Sequence, residues 1–297
     1  MPGQEPPLPP DLLRVIFEQA AQSDKATALC LILSASIVRD WIEPVLYESV
    51  NLVRQRTSTL LLRTLETAKT REFYRKHVKS ITFSVGAYSD MRCMLRILSI
   101  CQDVKHLTIY FIPTSQVPNP AYPSSTLEQL VDGLHPTNLT VQFPTSSHLF
   151  SPEFHLPVYA HITHLSIVND WMDWTVWRNL ELLKSLSHLA ADVRAPAESL
   201  NPQKIEQISH AVQGILCRCT SLKLFIIVLI FAADPAAAGE AIAQGMVADD
   251  RRLVFLQDPE PFRDRDAHWE NDMWRLGAEI AAVQSRTGRW VLHHLRG

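Results

Sequence analysis

Apolar residues near the start of the chain recur with the spacing of a single helical face. The residues that carry this i, i+3, i+4, i+7 spacing are Leu13, Ile16, Phe17 and Ala20. Pro10 stands just before them and is tolerated in the first turn of a helix, where its missing N–H would have no partner. The pattern therefore predicts a first helix that begins near Pro10, directly after the pair Leu8-Pro9.

Two further short helices are predicted before residue 51. Ser23 or Asp24 can cap the second, because short polar side chains accept hydrogen bonds from the N–H groups of a first turn. Its shared apolar face would consist of Leu29, Ile32 and Leu33. A third helix would follow Ser34 or Ser36, and its apolar side would consist of Val38, Trp41, Ile42 and Val45. Pro44 falls inside this last pattern and is expected to bend or restart the helix.

Beyond Asn51 a different pattern recurs, in which an apolar residue, two others, an apolar residue, one other and an apolar residue follow one another. Clear copies lie at 78–83, 104–109, 162–167 and 222–227, and weaker ones at 136–141, 186–191 and 251–256. The fourth positions of the first six copies are Ile81, Leu107, Leu139, Leu165, Leu189 and Phe225. Their separations of 24 to 36 residues leave room for one strand and one helix per unit.

Such units cannot bury their apolar sides alone, so we expect them to stack into one sheet lined by helices. The alternative is a non-repetitive α/β domain whose strands share a hydrophobic pattern. Helices are predicted from Asp90, from Ser125 with Glu128 as a capping box, and from Asn201-Pro202. Their apolar faces would contain Met91, Leu95 and Leu98 in the first, and Ile205, Ile208, Val212 and Ile215 in the last.

The last part of the chain predicts a helix that closes the stack. Its apolar face would consist of Trp269, Met273, Leu276 and Ile280. Because a terminal repeat exposes apolar surface, we expect this helix to cap the C-terminal end. The apolar run at 222–233 is shorter than a bilayer span and is interpreted as a buried central strand.

Composition narrows the classes of partner. The 28 basic and 31 acidic residues give a net charge of −3, and no basic block offers a surface for nucleic acid. The N-terminus lacks the features of a secretory signal, and the five cysteines form no C-x-x-C pair. We therefore expect a cytoplasmic or nuclear protein with reduced thiols that binds neither nucleic acid nor membrane.

Motifs for catalysis and for cofactors are missing from the sequence. It contains no phosphate-binding glycine loop, no G-x-S-x-G turn and no H-E-x-x-H helix. His161 and His164 would face opposite sides of a strand and could not share a metal ion. We therefore predict a protein without enzymatic activity, without a cofactor and without a metal.

One aromatic segment is open to three interpretations. Trp171, Trp174 and Trp177 recur at intervals of three beside Asp170 and Asp173. They can pack along one helical side, form a patch that binds a target protein, or combine with the carboxylates in a glycosidase-like site. The proline-rich segment 112–125 is a second candidate for target contact.

Four segments resemble one known family. Residues 8–34 and 38–52 resemble an F-box, residues 73–83 a first repeat strand, and residues 250–256 with 268–282 a closing strand and helix. On these segments the chain resembles fungal F-box-like proteins that carry degenerate leucine-rich repeats. The slot after each strand, where such repeats place Asn or Cys, holds Gly86, Ile112, Pro144 and Asp170.

The resemblance implies an α/β fold in two parts. Residues 1–50 would form a three-helix F-box-like module. Residues 51–297 would form an irregular leucine-rich-repeat-like stack of strands and helices with a C-terminal capping helix. It also implies a non-catalytic substrate receptor of an SCF-type cullin-RING ubiquitin ligase, in which the F-box binds a Skp-family adaptor and the repeats bind an unknown target protein.

Adaptor binding would fall on the start of the first helix. The residues that would carry it are Leu8, Pro9, Leu12, Leu13, Ile16 and Phe17. We expect Leu12 and Phe17 to be the hydrophobic anchors, and Leu13 and Ile16 to face the other two helices as well. The alternative is a repeat scaffold whose F-box-like helices only cap the solenoid and bind no adaptor. These two hypotheses differ in whether the face of residues 8–17 is exposed or covered by the repeats.

Overall fold

The fold is mixed α/β, with one parallel sheet of nine strands and ten α-helices in the part of the chain that the structure describes. It is a computed structural model. The described residues are 8–84, 91–110, 133–143, 152–194, 201–230, 234–246, 250–258, 267–287 and 292–294. The helix predicted from Ser125 and the segment 112–125 lie outside them.

Helices and strands alternate along most of the chain. The helices are α1 (Pro10–Ser23), α2 (Lys25–Leu31), α3 (Ser36–Glu48), α4 (Gln55–Thr67), α5 (Arg71–His77), α6 (Met91–Ile100), α7 (Trp171–Trp174), α8 (Pro202–Arg218), α9 (Pro235–Gln244) and α10 (Ala267–Thr287). The strands are β1 (Ser49–Leu52), β2 (Ser80–Phe83), β3 (His106–Ile109), β4 (Asn138–Val141), β5 (His164–Ile167), β6 (His188–Arg194), β7 (Leu224–Ile230), β8 (Leu253–Gln257) and β9 (Leu292–His294).

The three N-terminal helices form as predicted, except at Pro44. The carboxylate of Asp24 caps α2 by accepting hydrogen bonds from the N–H groups of Ala26 and Thr27 at 3.1 and 2.8 Å. Helix α3 continues through Pro44 without restarting. The carbonyl that loses its donor there belongs to Asp40, which is exposed and can be hydrated instead.

These helices share a small core of their own. Its fully buried members are Ala21, Ala28, Val38 and Ile42. Partly buried side chains complete it, namely Phe17, Leu31, Ile32, Trp41, Val45 and Leu46. Helix α3 leads directly into β1, so the sheet begins at Ser49, two residues before the predicted boundary between residues 50 and 51.

Each strand pairs in parallel with the one before and the one after it in sequence. The predicted marker residues stand in one register row across β2 to β7, and Leu253 of β8 continues it. All are buried, and they face the side of the sheet that most helices cover. Every copy of the sequence pattern is therefore confirmed as a strand, including the apolar run that begins at Leu222.

A second ladder runs along the edge where the strands begin. Each residue just before a strand donates its N–H to the carbonyl of its counterpart in the preceding unit, at 2.7–3.0 Å. The residues linked in this way are Lys79, Lys105, Thr137, Thr163, Ser187 and Lys223. The hydroxyls of Thr163 and Ser187 donate to the same carbonyls at 3.1 Å. Short polar side chains thus reinforce the stacking of units.

At the other edge, one turn is closed by an asparagine that the sequence pattern missed. Asn169 lies one residue before the slot at Asp170. Its amide donates to the carbonyl of Phe143 at 2.9 Å, and its oxygen accepts from the N–H of the same residue at 2.7 Å. Asn169 is buried, so this paired bond replaces the water that the backbone of the turn would otherwise need.

The predicted C-terminal cap is wrong in its position. Helix α10 does not close the end of the stack but lies across the second face of the sheet, where Trp269, Met273, Trp274 and Ile280 pack on β6, β7 and β8. Gly277 permits this close approach, because a Cβ there would lie 2.5 Å from Cδ1 of Ile226. Without the helix, the broad face of the sheet would expose more apolar area to water than the end of the stack. Covering the broad face therefore gains more free energy.

The other predicted helices agree with the structure in their positions and partly in their faces. Asn201 caps α8 by accepting from the N–H of Lys204 at 3.0 Å. In α6, the fully buried side is formed by Met94, Ile97 and Leu98, whereas Leu95 is half-buried. None of the helices in the described residues combines the length and the apolar character that a membrane span requires.

Truncation in the register row tests its contribution to stability. Leu165 is fully buried in β5, and the change Leu165→Ala should lower the free energy of unfolding by about 2 to 5 kcal/mol, because a cavity remains. Leu182 is exposed to 40%, and Leu182→Ala should change it by no more than about 0.5 kcal/mol. Denaturant unfolding of both variants measures the difference. Equal values would contradict the stacked core.

Candidate functional site

Helix α1 has two apolar sides with different environments. On one side Leu13 is half-buried, Phe17 packs against the N-terminal core and Ala21 is buried within it. The side that points away carries Leu12, Val15 and Ile16, which are exposed to 52, 60 and 50%, and Leu8, just before the helix, is exposed to 53%. We call these four residues the α1 apolar face. Exposed apolar residues that gather on one side of an element mark an interaction surface.

The structure differs from the expected orientation of two of the six residues predicted to bind the adaptor. Phe17 was expected to be an anchor, but it packs inward, four residues after Leu13 and on the same helical side. Ile16 was expected to face the other helices, but it lies outward with Leu12. Pro9 is exposed, and its carbonyl accepts the N–H groups of Leu12 and Leu13 at 3.0 and 3.1 Å, which starts the helix.

Three exposed apolar residues beyond α1 were missed. Leu29, Leu33 and Ile37 are exposed although α2 and α3 pack against α1. The sequence pattern had placed Leu29 and Leu33 on one buried face with Ile32, but only Ile32 contacts the N-terminal core. They belong to α2, to the turn after it and to α3, so no single helical period marks them.

The three tryptophans predicted as a possible target contact do not form an exposed patch, because their side chains are buried. Trp171 and Trp174 lie in α7, and Trp177 lies after its end. The indole N–H of Trp174 donates to the carbonyl of Asp192 at 2.8 Å. The ring of Trp177 packs edge-on against Phe143, with centroids 5.1 Å apart. The interpretation as packing residues is the one that the structure supports.

The two neighbouring carboxylates hold the local backbone. Asp170 accepts hydrogen bonds from the N–H groups of Trp171 and Arg194 at 2.7 and 3.2 Å, and thereby ties α7 to β6. Burial raises the pKa of Asp170, and these two donors oppose the rise. Asp173 accepts from the side-chain amide of Asn169 at 3.1 Å. Both carboxylates are thus engaged in the turn that follows β5.

His161 and His164 have different ring neighbours. His161 lies before β5, and its ring meets that of His135 at 5.0 Å. His164 lies in β5 and stacks on His188 of β6, with ring centroids 4.2 Å apart and an angle of 7° between the planes. The edge of Trp274 from α10 meets both rings. In the described residues, no three groups of His, Cys, Asp or Glu are placed to hold a metal ion.

Burial favours the neutral form of the stacked rings. Nδ1 of His164 lies 2.9 Å from the hydroxyl of Thr163, and Nδ1 of His188 lies 2.8 Å from that of Ser187. Burial, followed by the proximity of His188 and His106, lowers the pKa of His164 to about 4. Burial and the charge of Lys223 lower the pKa of His188 as well.

The second face of the sheet is closed to large partners by α10. One register row on this face changes from polar to apolar, through Thr82, Thr108, Thr140, Ser166, Ala190, Ile226 and Val254. Helix α10 matches this gradient. Glu270 accepts from the hydroxyl of Thr108 at 2.8 Å near its start, whereas Gly277 contacts Ile226 further on. All seven residues of the row are buried, so this face offers no surface for a target.

Comparison of the chain with protein-family models, with curated proteins and with solved structures finds no match in any of the three. Function is therefore inferred from the chain's own residues.

The stacked histidines predict a loss of stability at acidic pH. The pKa of His164 is about 4 in the folded protein and 6.5 ordinarily, so the neutral ring favours folding. Its contribution is complete above a pH of about 6.5 and is lost as the pH falls towards about 4. We expect the free energy of unfolding, measured by urea titration, to decrease across this range and His164→Gln to weaken that decrease. The change His210→Gln, at an exposed position of α8, should leave it intact.

Proposed function

We propose that the protein is a non-catalytic substrate receptor of an SCF-type cullin-RING ubiquitin ligase. In this role α1 to α3 dock a Skp-family adaptor, and the α/β domain holds a target protein. The observation that carries the proposal is the exposure of the α1 apolar face in the free chain, while the opposite side of the same helix packs on the N-terminal core.

The energy available at this face suits a protein partner. Full burial of one side chain of this kind contributes about 1.5 to 3 kcal/mol. The four residues of the α1 apolar face are each about half exposed, so covering them supplies roughly 3 to 6 kcal/mol. Leu12, Val15 and Ile16 stand at i, i+3 and i+4 of α1, and a helix with such exposed residues fits the groove of a partner in the helix-in-groove mode.

The arrangement of the sheet supports the repeat part of the proposal. Parallel strands in sequential order, with matching residues in register and most helices on one side, are expected of leucine-rich-repeat-like units. The units here differ in length and in the way their turns close, so we infer a degenerate form. The role also favours a cytoplasmic or nuclear location, where such ligases act on their targets.

A non-catalytic role is favoured by what the candidate catalytic groups do. Asp170 and Asp173 hold a turn, and His164 is stacked beneath α10. None of the three faces a substrate cleft together with a second group that could share proton transfer. The alternative of a pure repeat scaffold, in which the N-terminal helices only cap the stack, predicts a covered α1 face and is less favoured by its exposure.

A double substitution on the α1 apolar face tests the docking role. Coexpressed with a Skp-family adaptor, the wild-type chain should copurify as a complex. The change Leu12→Asp plus Ile16→Asp should weaken this binding at least about 100-fold, because two apolar contacts are lost and two carboxylates lose water at the interface. Both residues are half exposed, so the melting temperature should stay close to that of the wild type.

A matched control separates this effect from a general loss of solubility or fold. Val53 and Leu60 are exposed to 42 and 41% outside the three-helix module, and their double change to Asp should leave adaptor binding unchanged. Phe17→Asp, by contrast, should lower the melting temperature, because Phe17 packs in the N-terminal core. A wild-type chain that fails to bind the adaptor would contradict the receptor role.

A further inference from the structure

A groove lies on the helical side of the domain, between residues 171–178 and α8. Its volume is about 670 Å³, within the range of sites that bind ligands or short peptide segments. Trp171 and Trp177 line it from the domain core, where both are buried. On α8 the lining residues Ala211 and Gly214 are small.

One part of the rim of this groove is apolar. Met172 and Val176 line it and are exposed to 54 and 51%, although the tryptophans beside them are buried. Two exposed apolar side chains above an aromatic floor form a seat for one bulky apolar side chain. Water held in such a seat is displaced at a gain in free energy.

Two arginine side chains place positive charge in the same groove as this seat. Arg178 lines the groove, is exposed, and has no hydrogen-bond or ion-pair partner among the described residues. Arg218 also lines it and is only loosely paired, with 3.6 Å between its Nε and Glu181 Oε2. Its guanidinium nitrogen lies 3.0 Å from where a Cβ on Gly214 would stand, so the positive charge lies directly beside Gly214.

The acidic residue of the lining lies nearer the start of α8, away from Arg218. Glu206 and His210 line the groove two to three turns before Arg218, about 12 Å or more from it along the helix axis. Their side chains are 3.8 Å apart, which offsets part of the charge of Glu206 when His210 is protonated. The end of the groove near Arg218 is therefore cationic in a chain whose net charge is −3.

We propose that this groove binds a peptide segment of the target in which a bulky apolar residue is followed closely by an acidic one. The apolar side chain sits on Trp171 and Trp177 between Met172 and Val176, and the carboxylate pairs with Arg178. The inference rests on the proposed receptor function, since it names the chemistry of the segment that the α/β domain would hold. It assigns the tryptophan segment a role as floor of a binding site rather than as an exposed patch.

The test uses the full-length chain and an immobilised peptide array. Every peptide carries one Leu, Phe or Trp followed after one to three random positions by Glu, and a matched array carries Lys in place of Glu. We expect binders in the acidic array, with affinities about fivefold or more above those of their lysine counterparts in fluorescence anisotropy. An array without binders, or equal affinities for both sets, would overturn the proposal.

Two variants locate the binding. Arg178→Glu should weaken the selected acidic peptides about fivefold or more and improve the lysine peptides, because the charge at the seat is reversed. Val176→Asp should weaken both sets. Arg63→Glu is the matched control on the exposed side of α4 and should change neither. Unchanged affinity in Arg178→Glu would place the binding elsewhere and overturn the proposal.

The outcome is separable from that of adaptor docking. Leu12→Asp plus Ile16→Asp should leave peptide affinity unchanged, and Arg178→Glu should leave adaptor binding unchanged, because the two surfaces lie on different elements. Peptide binding without adaptor binding would support the groove and contradict the ligase role. Adaptor binding without selective peptide binding would do the reverse.

Discussion

The fold depends on the fact that a single strand with its helix cannot bury its own apolar residue. The row that begins at Ile81 and ends at Leu253 is removed from water only because each member has a neighbour on the next strand. The ladder of backbone hydrogen bonds before the strands sets the spacing at which those neighbours meet. The helices, the turns and the groove on α8 all take their positions from this stacking.

The sequence predicts this part well because stacking leaves a periodic mark. Ile81, Leu107 and their counterparts had to be apolar at matching positions, so the strands β2 to β8, and the register from β2 to β7, could be inferred. Other features depend on which of two equivalent sides faces a partner. Ile16 and Phe17 are both apolar on α1, and only the positions of α2 and α3 decide that Phe17 turns inward. The place of α10 was equally open, because its apolar face suits the broad side of a sheet as well as its end.

The candidate functional residues also divide into those that the sequence predicts and those that depend on packing between distant segments. Trp171, Trp174 and Trp177 could be recognised as an aromatic group, but their burial depends on β6 and on Phe143, which are distant in sequence. Arg178 carries no motif at all, and its position beside the groove follows from the packing of α8. That α1 carries an exposed apolar face was predictable, because a short helix with apolar residues on two sides has more apolar surface than a small core can bury, but Val15 and the outward position of Ile16 were not.

Helix α10 changes how the domain is expected to fold and unfold. In an open array each unit contacts only its neighbours, so terminal units can unravel while the middle persists. Here α10 joins β3, through Glu270 and Thr108, to the region of β8, through the bond from Arg251 to the carbonyl of Gln284 at 2.6 Å. When α10 packs on the sheet or leaves it, units far apart in the chain are therefore buried or exposed together. Helix α10 thus turns a linear array into a closed cooperative unit. Its folding requires contacts between residues some 160 positions apart in the chain.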